Sequence, residues 1–159
     1  MSLTIKPATE SDVALVLSFI RKLAEYEKLS QEVVATEELL RETLFGERRV
    51  AEVVVAYLAD EPVGFALFFH NFSTFVGRPG IYLEDLFVEP AHRGKGVGKA
   101  LLIYVARIAV ERGCGRFEWA VLDWNTPAID FYRSLGAVPL DDWTIFRLTG
   151  DALRRIAAA

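Results

Sequence analysis

Apolar residues recur along this chain with two different periods, and each period predicts its own kind of element. Short alternating or continuous apolar runs predict strands at residues 3–7, 50–58, 63–69, 82–88, 117–122, 137–140 and 144–148. Apolar spacings of three and four predict helices at residues 10–29, 37–45, 98–112 and 127–135, with Asp151 as a candidate start for another. This order predicts one α/β domain over residues 1–159, with a mixed, mostly antiparallel sheet flanked by helices.

Turn and cap residues set the expected boundaries. Thr9 and Asp12 have the spacing of a capping box, and Thr36 is expected to cap the second helix. Either Thr126 or Asn125 is expected to cap the helix that has Pro127 in its first turn. Asp60-Glu61-Pro62 is expected to be a hairpin turn between two strands, and residues 72–80 are expected to form a loop.

The segment from Tyr82 to Arg112 predicts a buried strand, a glycine-rich loop and a long helix. The first amide groups of a helix lack intrahelical partners and lie at the positive end of its dipole. Glycines allow a ligand to approach the backbone, and the loop also carries Arg93, Lys95 and Lys99. This combination favours a phosphate or pyrophosphate ligand.

The spacing within this loop restricts the type of phosphate site. A Walker A loop requires a glycine where Arg93 stands and a hydroxyl residue where Ala100 stands, and the dinucleotide pattern fails at Lys99. The remaining pattern, Arg93-x-x-Gly96-x-Gly98, resembles the pyrophosphate loop of the GNAT acetyltransferase superfamily. The resemblance implies the GNAT fold and acetyl-CoA as co-substrate. An ordinary glycine-rich turn between a strand and a helix is the alternative explanation.

A second segment strengthens the resemblance. Residues 125–136 read Asn-x-x-Ala-x-x-Phe-Tyr-x-x-x-Gly, which is similar to the other GNAT motif and follows the loop by one strand. Tyr82-Leu83-Glu84-Asp85, Trp124-Asn125-x-Pro127 and the first helix further resemble the diamine (spermidine/spermine) acetyltransferase family, including members that acetylate thialysine. This likeness covers nearly the whole chain.

The resemblance implies a role for each matching residue. The backbone of Leu86, Phe87 and Val88 is expected to pair with the pantetheine arm, and Asn125, Pro127 and Ala128 to line its path, with Tyr132 also contacting the cofactor. The expected pyrophosphate-binding residues are Arg93, Gly94, Lys95, Gly96, Val97, Gly98 and Lys99.

The resemblance also implies the catalytic residues. Glu84 is expected to accept the proton of the amine and to hold its ammonium form, and Tyr132 is expected to protonate the departing thiolate. Tyr26 and Glu27 are expected to bind the acceptor. Asp85 follows Glu84 and, by strand alternation, is expected on the opposite side in a structural role. A solvated strand-end carboxylate and a core tyrosine are the alternatives for Glu84 and Tyr132.

The chain departs from the family in its acceptor region. The acidic cluster after the first helix reads Ser30-Gln31-Glu32, with one acid fewer, and Phe75 stands near a position where the family often has tryptophan. These departures bear on polyamine specificity and leave the transferase hypothesis unchanged.

Composition and charge restrict the ligands and the cellular location that we expect for this chain. The 159 residues carry a formal net charge of −4, which does not favour nucleic acid and suits a cationic substrate. One cysteine, Cys114, excludes an intrachain disulfide, and no long apolar run is present, so a cytoplasmic protein without membrane attachment is expected. No metal is expected, and family resemblance implies a homodimer.

The sequence leaves three functions open. A small-amine N-acetyltransferase acting on a diamine, a polyamine or thialysine is the leading hypothesis. A GNAT enzyme for a drug amine, an amino acid or a protein N-terminus is the second. A non-catalytic acyl-CoA-binding module on the same scaffold is the third.

Overall fold

A computed structural model describes residues 2–159, whose contacts divide into two units, one ending at Leu122 and the other spanning Asp123–Ala159. The first unit contains five strands, which are β1 (Leu3–Pro7), β2 (Glu52–Leu58), β3 (Glu61–Ser73), β4 (Arg78–Val88) and β5 (Phe117–Trp119). They form one sheet in sequence order. The first four strands pair antiparallel, whereas β5 pairs parallel to β4, so the predicted mixed sheet is confirmed.

Three helices cover the sheet, α1 (Val13–Tyr26), α2 (Glu37–Phe45) and α3 (Val97–Glu111). Val53, Val55 and Phe65 pack in one apolar cluster with residues of α1 and α2. Val54 and Ala66 pack in a second cluster with residues of α3. Because successive strand residues point to opposite faces, the continuous apolar runs of β2 and β3 supply both clusters.

The start of α2 agrees with the predicted cap. The Thr36 hydroxyl accepts the Leu39 amide at 3.2 Å. Before α1, the Asp12 carboxylate accepts the Thr9 amide at 2.8 Å, and residues 10–12 form a 3₁₀ turn. The first helix ends at Tyr26 and not near Leu29, because Lys28 adopts a left-handed backbone conformation with φ of 62°.

The hairpins differ from the predicted turns. Ala59 and Asp60 both have positive φ, 48° and 68°, so a two-residue turn joins β2 to β3, and Pro62 lies inside β3. Such a turn matches the twist of the flanking strands. The expected loop at residues 72–80 is also shorter, because β3 extends to Ser73 and β4 begins at Arg78.

The second unit contains α4 (Thr126–Ser134) and α5 (Gly150–Ala157). The predicted strands at residues 137–140 and 144–148 are wrong, since neither segment is a strand in the structure. A strand requires a backbone partner, and apolar alternation alone does not supply one. The strand predicted at residues 117–122 likewise ends at Trp119.

Within residues 2–159, no helix combines the length and hydropathy needed to cross a membrane. No cluster of three or more His, Cys, Asp or Glu side chains there has the arrangement of a metal site.

Candidate active site

The loop before α3 has the geometry of an anion cradle. Gly94 and Gly96 have φ of 77° and 83°, and a Cβ added at either position would meet nothing within 4 Å. Glycine is therefore required by the backbone conformation, and the space above the loop is open. The first α-helical bond joins the Ala100 amide to the Gly96 carbonyl, so the amides of residues 97–99 precede the hydrogen-bonded ladder of a 15-residue helix. These features fit the pyrophosphate group of acetyl-CoA.

One edge of β4 is open beside this loop. On one side, Leu86, Phe87 and Val88 pair with Ala66, Phe65 and Gly64 of β3. On the other side, β5 pairs only with residues 81–83. Among the described strands, none pairs with residues 84–88 along this second edge. An extended ligand can add to such an edge as a further strand.

A β-bulge lies where the open edge begins. Leu67 pairs with Asp85 and Phe68 pairs with Leu83, so Glu84 is the extra residue of the bulge. A bulge interrupts the alternation of side chains along a strand. Strict alternation therefore does not determine the relative directions of Glu84 and Asp85, and the expectation that they lie on opposite sides of the strand stays a prediction. The Glu84 side chain is exposed, whereas Asp85 is half-buried.

Three carboxyl groups influence one another around this bulge. Burial and the nearby charges of Glu84 and Glu27 raise the pKa of Asp85 from 3.8 to about 7. Burial and the charge of Glu84 also raise the pKa of Glu27. Within residues 2–159 the Asp85 carboxylate accepts no hydrogen bond and pairs with no cation. A cation bound here would relieve this repulsion.

The end of α1 contributes to the same surroundings. Tyr26 is its last residue, with a relative exposure of 40%, and Glu27 follows it. The guanidinium carbon of Arg93 lies 4.7 Å from the centre of the Tyr26 ring. Thus the structure brings Glu27 near Glu84 and Asp85. It also brings Tyr26 into contact with Arg93 of the loop at residues 93–99, which we call the cofactor loop after its expected role.

In the second unit, the Asn125 side-chain oxygen accepts the Ala128 amide at 3.4 Å and caps α4. Pro127 stands in the first turn, where its missing N–H costs nothing. The Tyr132 ring lies 5.6 Å from that of Phe131, between centres. The helix and cap were predicted, and the cofactor and catalytic roles of these residues stay predictions.

Two features of the first unit could not be predicted from the sequence. The bulge at Glu84 has no reliable signal in a single apolar strand. The contact of the Arg93 guanidinium with the Tyr26 ring joins residues distant in sequence. The structural role expected of Asp85 stays a prediction.

Comparison with known proteins agrees with this architecture. A model of the acetyltransferase (GNAT) family matches residues 19–137. The chain belongs to the GNAT acetyltransferase family. The predicted superfamily and fold are confirmed, and the protein is an N-acetyltransferase, a family membership that implies acetyl-CoA as its co-substrate.

Related GNAT enzymes match over almost the full chain. A thialysine N-epsilon-acetyltransferase of Sus scrofa is 42% identical, covering 98% of this chain and 98% of the relative. An L-ornithine N5-acetyltransferase of Arabidopsis thaliana is 35% identical, covering 96% of this chain and 86% of the relative. Among solved structures, an integron cassette protein from the mobile metagenome of V. cholerae matches with a TM-score of 0.82 at 30% identity, covering 100% of this chain and 99% of that one.

Proposed function

We propose that this GNAT enzyme transfers acetyl from acetyl-CoA to the primary amine of a small cationic acceptor, with a thialysine-like amino acid as the leading candidate. The observation that carries the proposal is the group of Glu27, Glu84 and Asp85 at the start of the open edge of β4. A cationic amine is the ligand that three mutually repelling carboxyl groups favour.

Acetyl-CoA supplies an activated acetyl thioester, and this chain supplies the residues that bind acetyl-CoA. The loop of residues 93–99 holds the pyrophosphate through its amides, Arg93, Lys95 and Lys99. The open edge of β4 at Leu86, Phe87 and Val88 bonds the pantetheine arm as an added strand would. The resemblance to the family motif supports the further proposal that Asn125, Pro127, Ala128 and Tyr132 contact the arm.

The amine nitrogen loses two protons in the reaction. An amine with a pKa of about 10.4 is protonated at neutral pH, so it must lose a proton before it attacks the thioester carbonyl. Glu84 accepts that first proton, directly or through a water. As the carbon–sulfur bond breaks, the Tyr132 phenol donates its proton to the CoA thiolate. The second nitrogen proton, released as the amide forms, then returns through water to the Tyr132 phenolate.

The acceptor assignment rests on charge and on the relatives. The two relatives described above are named for thialysine and ornithine, which are both amino acids with a side-chain amine. Tyr26 and Glu27 line the acceptor side together with Glu84. Putrescine, spermidine and spermine remain candidate acceptors, although the Ser30-Gln31-Glu32 segment carries only one acid.

We also propose a homodimer and a cytoplasmic location. In the second unit, Val138, Trp143, Ile145 and Phe146 have relative exposures of 78%, 75%, 81% and 92%. Apolar exposure on this scale marks an interaction surface. A second copy of the chain is the proposed occupant. We further propose that residues 1–159 act as a single domain.

The test is thiol release from acetyl-CoA with thialysine, lysine, ornithine, putrescine, spermidine, spermine and an aminoglycoside. We expect the highest kcat/KM for thialysine or another amino acid with a side-chain amine. A preference for the aminoglycoside would favour the second hypothesis. Binding of acetyl-CoA without release for any amine would favour the acyl-CoA-binding module.

A further inference from the structure

The side chain of Arg93 makes contacts beyond those that phosphate binding alone requires. Its Nε donates to the Val88 carbonyl at 2.9 Å. Its guanidinium carbon lies 4.7 Å from the centre of the Tyr26 ring and 5.5 Å from that of Phe87. Phe87 is buried and packs against Phe19 with 5.9 Å between ring centres, so the guanidinium rests on the core.

These contacts leave part of the guanidinium available. Within residues 2–159 its two Nη groups donate to no acceptor, while Nε is hydrogen-bonded and the guanidinium carbon lies over the Tyr26 ring. A guanidinium can offer its two Nη groups to phosphate oxygens and still stack on an aromatic ring. A single side chain can therefore contact the donor's pyrophosphate and the acceptor residue Tyr26 together.

A second contact attaches α1 to the segment between β4 and α3. Lys22 precedes Tyr26 by one helical turn, and its ammonium pairs with the Glu89 carboxylate just after β4. Residues four apart lie on one face of a helix. The last turn of α1 is thus attached at two points, Glu89 and Arg93, to the segment that leads into the cofactor loop.

We infer that Arg93 is a positioning residue that couples the two substrates, because it transmits occupancy of the pyrophosphate loop to Tyr26 and the end of α1. When CoA fixes the Nη groups, the guanidinium is immobilised against Tyr26, and the last turn of α1 is ordered for the amine. Coupling of this kind is reciprocal, so the amine also strengthens CoA binding. The inference rests on the proposed function and adds a residue-level link between its two substrates.

Hydrogen–deuterium exchange tests the link without an acceptor. We expect saturating CoA to slow exchange about fivefold or more in the peptide covering Lys22 to Leu29 of the wild type, within the range of typical coupling factors. Arg93→Lys should lose this slowing at equal CoA occupancy, because an ammonium cannot stack and hold the Val88 carbonyl as a planar guanidinium does. Tyr26→Leu should lose it as well.

The matched control is Lys95→Gln, which removes a loop cation for which no contact to α1 is seen. At equal CoA occupancy it should retain the slowing. Unchanged exchange of this peptide in the wild type with CoA bound would overturn the inference, as would full slowing in Arg93→Lys. These outcomes do not depend on turnover, so they are distinct from a failure to acetylate any amine.

A kinetic double-mutant cycle gives the second readout. Tyr26→Leu should raise the KM for the amine about 3- to 10-fold, the range expected for loss of a cation–π contact. In the Arg93→Lys background the same substitution should have little further effect. Additive effects, or a change confined to the KM for acetyl-CoA, would show that Arg93 serves the donor alone.

Discussion

At the residue scale, Glu27, Glu84 and Asp85 around the bulge set the electrostatic potential of the proposed acceptor site. Asp85 could be read from the sequence only as the neighbour of Glu84, because its environment depends on Glu27 of a distant helix and on the bulge. The family resemblance identifies Glu84 and Glu27 as candidate site residues. The sequence does not predict the electrostatic repulsion between them, because that repulsion depends on their distance in the folded chain.

Asp85 predicts a specific dependence of stability on pH. Its folded pKa of about 7 exceeds its ordinary value of 3.8, so the folded state holds the proton more tightly. The resulting stabilisation is fully present below the ordinary value and is lost as the pH rises through about 7. We expect Asp85→Asn to flatten the fall in the free energy of unfolding between these values.

Urea denaturation across this pH range, compared between wild type and variant, measures the effect. Taking the difference cancels opposing contributions such as that of Glu52, whose pKa is lowered by its hydrogen bond to Arg112. Asp60→Asn, in the exposed hairpin turn, is the control and should keep the wild-type slope. An unchanged slope in Asp85→Asn would contradict the pKa assignment.

Tyr132 predicts a partial loss of turnover. We expect Tyr132→Phe to lower kcat about 10- to 100-fold, at or below the low end of general-acid contributions, because a CoA thiolate leaves readily without full protonation. Steady-state kinetics with saturating acetyl-CoA would measure this. Tyr104→Phe, a half-buried tyrosine of α3, should retain the wild-type kcat. A wild-type kcat in Tyr132→Phe would exclude the phenol as the proton donor.

At the scale of elements, the sequence predicted most boundaries where local chemistry decides them. Thr36 and Asn125 cap helices as expected, and the long helix after the loop begins at Val97, one residue from its predicted start. The strand predictions at residues 137–140 and 144–148 were wrong, since apolar alternation predicts a strand but cannot identify the strand with which it pairs. The hairpin between β2 and β3 is confirmed, but its turn lies at Ala59 and Asp60 and not at residues 60–62. The sequence does not indicate this turn, because neither position carries the glycine typical of such turns.

Two glycines form a matched pair that tests the cofactor loop. Gly96 and Gly77 both have left-handed φ, 83° and 71°, and a Cβ at either would meet open space. Alanine at each position should therefore cost a similar ~1–2 kcal/mol of stability. Only Gly96→Ala should also raise the KM for acetyl-CoA, because Gly77 lies in the β3–β4 turn. Thermal unfolding and steady-state kinetics on both variants measure the two effects, and equal KM values would contradict the loop assignment.

At the scale of the whole molecule, the exposed apolar residues of the second unit predict self-association. Wild-type protein should have the mass of a dimer in size-exclusion chromatography with light scattering. Ile145→Asp should shift it towards the monomer, because a charge in an apolar interface is costly to desolvate. Val34→Asp is the control, since Val34 has a relative exposure of 83% and Ile145 one of 81%.

Val34→Asp should remain a dimer. A monomeric wild type would contradict the proposed self-association, and an unchanged dimer in Ile145→Asp would place the interface elsewhere on the chain.

We propose above that the Glu84 carboxylate promotes acetyl transfer to a cationic amine. The most direct test of this proposal is a single-turnover experiment with thialysine, with the acetylated product followed by mass spectrometry in wild type and Glu84→Gln. We predict rapid product formation in the wild type and a rate at least about 100-fold lower in Glu84→Gln, as expected for loss of a general base, with acetyl-CoA binding retained. Equal rates in the two proteins, or no product in the wild type with acetyl-CoA bound, would contradict the account.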